Sequence, residues 1–313
     1  MPKNHNYSSI IPLISSPRLG SYRLIFSPAN DAEVYGIYVW AQHAAGSLYP
    51  LTQNAEITLR NAIDNVATQR FGQYWWKLSS FNGIGTQLFQ DGITSAARKL
   101  DKSWEDKERK RLGLRRIMPI PTVRPVWKHE EIIAATDFSV WQFVLHDAFA
   151  SKTQTTHQQY LWPLSMPDVF RQFSNVDKKP NEARRQLINI VKEIRDYRNR
   201  LFHHEPIWIK DPGVTNARTA IDTVRKKINR IELLISTIDP RKAVALDKVG
   251  VFSFARKVCS EHELNIYRYQ SKEPSMTQKK KRVLRSLCSS ASRYNSMVTW
   301  SYGSEFYGLY RIR

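Results

Sequence analysis

The longest uninterrupted helical pattern in the chain runs from about Asn181 to His204, and it constrains what the rest can fold into. Leu187, Ile190, Val191, Ile194, Tyr197 and Leu201 recur at three- and four-residue steps. That spacing places them on one stripe of an α-helix and leaves the opposite face polar. Pro206 stops the pattern, because the residue before a proline is biased away from the helical conformation. A stripe of this length needs apolar partners. Thr215 to Ile238 supplies one, with Ile221, Val224, Ile228, Ile231, Leu234 and Ile235 at similar steps.

Further helices are expected upstream. Asn30 and Asp31 offer an N-cap after Pro28, with Glu33 in the first turn, ahead of Val34, Ile37, Tyr38, Ala41, Ala45 and Leu48. Pro50 is expected to interrupt that helix. Another then follows from Leu51 to Arg70, with Ala55, Leu59, Ala62, Ile63 and Val66 on one face and Gly72 closing it. Residues 71–90 read as an aromatic connection packed on the core, Ser95 to Arg116 as a charged helix, and Phe138 to Phe149 as an apolar one. Residues 1–29, with four prolines, read as an extended lead-in. Pro119, Pro121 and Pro125 make 117–129 a linker and a candidate subdomain boundary. The expected architecture is mainly α. Antiparallel helices joined by proline-containing loops form a domain over 30–240, and 241–313 is a basic C-terminal extension. The last fifteen residues suit a short hairpin or a final helix.

Charge gives the first functional indication. Among 313 residues, 48 Lys and Arg stand against 28 Asp and Glu, a net charge of +20. A polyanion such as nucleic acid is the partner that such an excess suits. Nine Trp, 14 Tyr and 13 Phe argue against a disordered chain. Cys259 and Cys288 cannot by themselves make a four-ligand zinc site, and they fit a reducing compartment. No apolar run is long enough to span a bilayer, and Met1 to Asn6 lacks the pattern of a signal peptide. The expectation is a soluble cytoplasmic protein without cofactor or metal.

Positive charge concentrates in two stretches. Residues 98–128 hold eleven Lys or Arg against four Asp or Glu, among them Arg109, Lys110, Arg111, Arg115 and Arg116, with Trp104 and Trp127 alongside. Residues 239–313 hold fifteen against six, with Lys279, Lys280, Lys281 and Arg282 as a cluster and Tyr267, Tyr269 and Tyr294 among the cations. Such mixtures suit phosphate neutralisation with base stacking. A plain solvated face is the other reading.

The residues best suited to chemistry end the first helix: Arg198-Asn199-Arg200-Leu201-Phe202-His203-His204-Glu205-Pro206. Five helical positions amount to roughly 140° of rotation and about 7.5 Å of rise. Arg198 and His203 can therefore flank one phosphate, and Asn199 can orient either. A histidine moves protons, and an arginine stabilises charge developing on phosphorus. His203 is the first choice as acid or base and His204 the alternative. In the structural reading, Arg198 pairs with a carboxylate such as Glu193 or Asp196 and the histidines only end the helix. Glu56 and Arg60, four residues apart, are an ordinary helix pair or a buried pair supporting the active helix. His129-Glu130-Glu131 is not a zinc-protease motif, since Ile133 occupies the second histidine position.

The Arg198–Pro206 string resembles the Arg-x(4–6)-His motif of HEPN-domain ribonucleases, in which a polar residue, commonly Asn, follows the arginine. With its doubled histidine and Glu-Pro-Ile continuation it is similar to bacterial abortive-infection proteins of the AbiD/AbiF branch. Ser16-Pro17-Arg18-Leu19, Pro28-Ala29-Asn30-Asp31-Ala32-Glu33 and Glu56-Ile57-Thr58-Leu59-Arg60-Asn61-Ala62-Ile63 look like the N-terminal half of that family. The resemblance covers roughly residues 10–240. It implies a HEPN-type antiparallel helical bundle with additional helices, and a homodimer that brings two motif helices into one cleft. The implied activity is that of a phage-defence toxin, a metal-independent endoribonuclease leaving a 2′,3′-cyclic phosphate and a 5′-hydroxyl. A small structured RNA would neutralise it. The alternatives are a non-catalytic RNA-binding module and a toxin held by a protein antitoxin.

Overall fold

Two short helices, α1 (Ile11–Ile14) and α2 (Ser16–Phe26), lead into α3 (Asp31–Phe71), a single helix of 41 residues. The computed structural model describes residues 6–208, 212–269, 277–294, 298–302 and 305–309. From Tyr7 to Phe26 the chain is thus helical rather than an extended lead-in, and residues 1–5 of that expectation lie outside the described residues. Pro12 and Pro17 fall in the first turns of α1 and α2. A missing N–H costs nothing there, because the first N–H groups of a helix have no intrahelical acceptor. Leu19, Tyr22 and Phe26 bury one face of α2.

Asn30 caps α3. Its side chain accepts a hydrogen bond from the Glu33 N–H at 3.0 Å, and the Glu33 carboxylate accepts one from the Ala29 N–H at 3.2 Å. Pro50 does not end this helix, contrary to expectation. A proline inside a helix costs roughly 3 kcal/mol. Leu48 and Leu51 on either side of it are fully buried, as are Ile37, Trp40, Ala44, Ala55, Leu59 and Ile63 along the same face. Burying several such side chains, at about 1.5–3 kcal/mol for each large one, outweighs the local penalty.

The remaining helices of the first unit are α4 (Gln87–Leu112), α5 (His129–Ala134), α6 (Phe138–Phe143), α7 (Met166–Val169), α8 (Pro180–Phe202), α9 (Ala217–Ile238), α10 (Pro240–Lys248), α11 (Val251–Val258) and α12 (Glu261–Arg268). The apolar stripes of α8 and α9 are buried as their periodicity requires, α9 lies against α3 as well as α8, and α8 is further fixed by the buried Arg184, which donates to the Leu145 carbonyl and to Asp147. Trp75, Trp76, Phe81 and Phe89 make the aromatic connection before and into α4. The apolar segment from Phe138 leaves the α-helix after Phe143 and ends in a 3₁₀ turn over Asp147–Phe149.

The chain divides after Tyr269, not at 117–129 or at 241. The proline-rich segment is tied back onto α4, where Asp101 accepts from Trp127 Nε1 at 2.7 Å and pairs with Arg124 at 2.8 Å. Helices α11 and α12 pack across α3 rather than extending from the domain. Trp40 Nε1 donates to the Val258 carbonyl at 2.9 Å. A Cβ on Gly36 would stand 2.2 Å from the Tyr267 carbonyl oxygen, so glycine alone permits α12 to approach this closely. The second unit holds α13 (Gln278–Tyr294) and a hairpin of β1 (Val298–Tyr302) and β2 (Glu305–Leu309), with Trp300 opposite Tyr307. Among the described residues no helix is long and apolar enough to cross a membrane.

Candidate active site at the end of α8

Helix α8 ends in a fully formed Schellman turn. The His204 N–H donates to the Leu201 carbonyl at 3.2 Å and the Glu205 N–H to the Arg200 carbonyl at 3.1 Å. The residue between helix and exit must adopt the left-handed conformation, a position glycine usually fills. Here it is His204, with φ of +55°. A side chain in this conformation is strained. Arg18, from α2, holds the turn by donating Nη1 to the His204 carbonyl at 2.8 Å. His203 and His204 are both exposed.

One turn earlier, Arg198 is held from three sides. Its Nε stands 3.6 Å from Glu56 Oε2, its Nη1 donates to Asn199 Oδ1 at 3.2 Å, and its guanidinium carbon lies 4.3 Å from the centre of the Phe202 ring. Arg198 and Glu56 are 33% and 17% exposed. Burial raises the Glu56 carboxyl above the ordinary range, while the charges of Arg198 and Arg60 pull it back. Glu56 therefore reaches across to α8 and makes no ordinary pair with Arg60. Arg60 donates to Asn61 at 3.3 Å and to the Ala134 carbonyl at 3.4 Å.

Glu193 does not support Arg198. It pairs with Lys227 at 2.6 Å and Arg230 at 3.4 Å, both on α9, because its place on α8 faces that helix. Asp196 is bonded to Arg195. Neither Glu193 nor Asp196 meets Arg198; the carboxylate that faces it is Glu56.

A cleft of about 770 Å³ adjoins the turn, and His204 lines it whereas His203 does not. Sequence reasoning missed its other walls: Arg18 and Tyr22 from α2, Tyr38 and Tyr49 from α3, and Phe202. Tyr49 and Phe202, with ring centres 5.0 Å apart, are 46% and 42% exposed. Arg18 lay inside one of the family-like strings. The tyrosines gave no local signal, since a tyrosine on an amphipathic helix reads as core. The cleft offers an imidazole, one guanidinium and several aromatic faces to a ligand, with Arg198 outside its lining.

The basic stretches are less open than their composition suggests. Trp104 and Trp127 are half-buried, and Trp127 spends its N–H on Asp101. Arg111 pairs with Glu108 at 2.6 Å, and Arg109 donates to the carbonyls of Arg115 and Met118. Lys110, Arg115 and Arg116 are exposed, as are Lys279, Lys281 and Arg282 on α13, and the Lys280 side chain lies outside the described residues. His129 belongs to the core. Its Nε2 donates to Asp64 Oδ1 at 3.1 Å, and its ring stacks on Trp76. Among the described residues no three His, Cys, Asp or Glu side chains gather where they could hold a metal ion. No family model, curated protein or solved structure matches this chain.

Proposed function

We propose that the chain is a HEPN-type endoribonuclease whose acid–base and charge-stabilising groups lie at the end of α8. The observation that carries this reading is the strained left-handed histidine lining a cleft, six residues from an arginine braced by a carboxylate. Strain of this kind persists where the surrounding structure enforces it, and functional sites are where it gathers. Because His204 lines the cleft, it takes precedence over His203. The imidazole removes the proton from a ribose 2′-hydroxyl as that oxygen attacks the adjacent phosphorus. The bond from phosphorus to the 5′-oxygen breaks, and that oxygen takes up a proton. The products are a 2′,3′-cyclic phosphate and a 5′-hydroxyl. Arg198 stabilises the charge that builds on the phosphorane oxygens.

The remaining parts of the reading follow the family resemblance: a phage-defence toxin, a homodimer that joins two such sites, and a small structured RNA that silences it. The test is cleavage of RNA with chelator present, followed by mapping of the new ends. Cyclic phosphate ends that vanish in Arg198→Ala and His204→Ala support the reading. Cleavage undiminished in Arg198→Ala, His203→Ala and His204→Ala overturns it.

A second reading rests on the same Arg198. With its charge met by Glu56 and its face covered by Phe202, it serves as a structural clasp, and the basic chain binds RNA without cutting it. Tight RNA binding with no new ends at any enzyme concentration favours this reading.

A further inference from the structure

We infer that the outer face of α3 from Tyr38 to Pro50 is a track for single-stranded RNA, with two neighbouring bases seated in two pockets either side of Gly46. The inference rests on the RNA reading above, though not on cleavage.

The cleft beside His204 has a neighbour of about 460 Å³, and the two share Gln42 and Gly46. Both volumes fall in the range of small-ligand sites. Each has aromatic walls: Tyr38, Tyr49 and Phe202 in the first, His43 and Phe254 in the second. Gln42 donates to the Tyr38 hydroxyl at 3.0 Å, and its amide stands on the ridge that the pockets share.

The floor of the ridge carries a second, independent observation. Gly46 lies within a long helix, where glycine is weaker than alanine. Nothing inside the protein demands it: a Cβ there would meet no atom within 4 Å, in contrast with Gly36. Pro50, four residues on, has no N–H to donate to the Gly46 carbonyl, so the helical ladder is open at that oxygen. A missing side chain at this exposed place lets a ligand approach the backbone closely, beside a carbonyl that lacks its usual helical donor. RNA donates from its 2′-hydroxyls and base amines.

The occupant follows from the chain's net charge of +20 and from the aromatic walls, with Arg18, His204 and Glu205 together at one end of the track. Aromatic faces accept bases only when these are unstacked, which excludes the interior of an RNA duplex.

The experiment uses the full chain with Arg198→Ala, so that cleavage cannot consume the probe. Arg198 lines neither pocket. The probes are a short fluorescent oligouridylate and a fluorescent RNA duplex, read by anisotropy at low salt, with a thermal melt for each variant. Gly46→Leu is expected to weaken oligouridylate binding by about tenfold or more, leaving duplex affinity and the melt unchanged. Tyr49→Ala is expected to weaken it by about fivefold or more through lost stacking. Should Gly46→Leu fail to fold, Tyr49→Ala decides. Unchanged oligouridylate affinity in the folded variant overturns the inference, as does equal loss for both probes, or a parent that binds no oligouridylate. Loss of a dimer in Gly46→Leu, seen by light scattering with RNA affinity intact, also overturns it by assigning the face to a second copy. Cleavage by the unaltered chain with an unaffected Gly46→Leu variant would defeat the track alone. Binding in the track without cleavage would defeat the nuclease reading alone.

Discussion

Two histidine regions of this molecule look alike in sequence and differ in every physical respect. At the start of α5, His129 is followed by two glutamates. At the end of α8, His203 and His204 are followed by one. His129 and its partner Asp64 are only 7% and 9% exposed, and Asp64 Oδ1 also accepts from Trp75 Nε1 at 3.0 Å. Each polar atom in that exchange is satisfied, and Trp76 covers the ring. Such a buried histidine fastens α5 to α3. His204 is exposed, sits on a strained turn and faces a cleft. Burial and satisfied bonding mark a structural polar group, whereas exposure combined with strain marks one kept for another purpose.

The largest expected effect breaks this contrast from the active side. His204→Ala is expected to lower RNA cleavage by about 10²–10⁴-fold with an unchanged melting temperature, read by gel-based cleavage and calorimetry. His129→Ala is expected to do the reverse, leaving the activity of the folded fraction intact. Equal loss of activity in both would erase the distinction. Next in size is Asp64→Ala. It strands two buried N–H donors, on Trp75 and His129, at about 1–3 kcal/mol each. Denaturant unfolding should show a loss of roughly 2–6 kcal/mol on that basis. A loss below about 0.5 kcal/mol, the range of an unremarkable surface change, would mean that the pair is not sealed from water.

A finer test acts on His204 alone. Glycine adopts the left-handed conformation without strain, so His204→Gly should stabilise the fold by up to about 1 kcal/mol. Cleavage should be lost as in His204→Ala. The chain would then be more stable and less active, which is the pattern of a residue retained for function at a cost in stability. A destabilised glycine variant would show that the imidazole contributes packing and that the strain argument is mistaken.

How much of this could be read from sequence depends on how local each cause is. The stripes of α8 and α9 were legible because the period of a helix is written into the order of residues, and Asn30 was legible because a cap is settled within four residues. Pro50 misled because its penalty is local, while the burial of Leu48 and Leu51 that outweighs it comes from distant helices. Glu56 could be singled out, but its reach to Arg198 could not, since α3 and α8 meet only after folding. Proximity along the chain points Glu193 at Arg198, but in space it pairs with Lys227 and Arg230 on α9. The cleft draws Arg18, Tyr38, Tyr49 and Phe202 from three helices, so no window of sequence contains it. The division of the chain was misplaced at 241 because α11 and α12 owe their place to backbone contacts with α3, among them the approach at Gly36.

The smallest effects are slopes with pH, and they sharpen the comparison by setting the buried Asp64 against a carboxylate at the surface. Asp239 caps α10 and pairs with Arg241 and Arg171, each at 2.8 Å. Hydrogen bonds from Arg241 lead in lowering its carboxyl from 3.8 to about 2. Its folded-state value lies below the unfolded one. Its contribution is therefore present above the unfolded value and lost as pH falls through the folded one. Burial moves the Asp64 carboxyl the opposite way, upward, against the pull of Trp75 and His129. Its folded-state value lies above the unfolded one, so its contribution is present below the unfolded value and lost as pH rises through the folded one. Relative to the parent, Asp239→Asn should be less stable near neutrality and approach parity on acidification towards pH 2. Asp64→Asn keeps an acceptor but cannot titrate, and its deficit against the parent should grow as pH is lowered. Melts of the three proteins across the acid range measure both slopes. Slopes of the same sign would mean that the hydrogen bonds from Trp75 and His129 outweigh the burial of Asp64, as those from Arg241 do at Asp239.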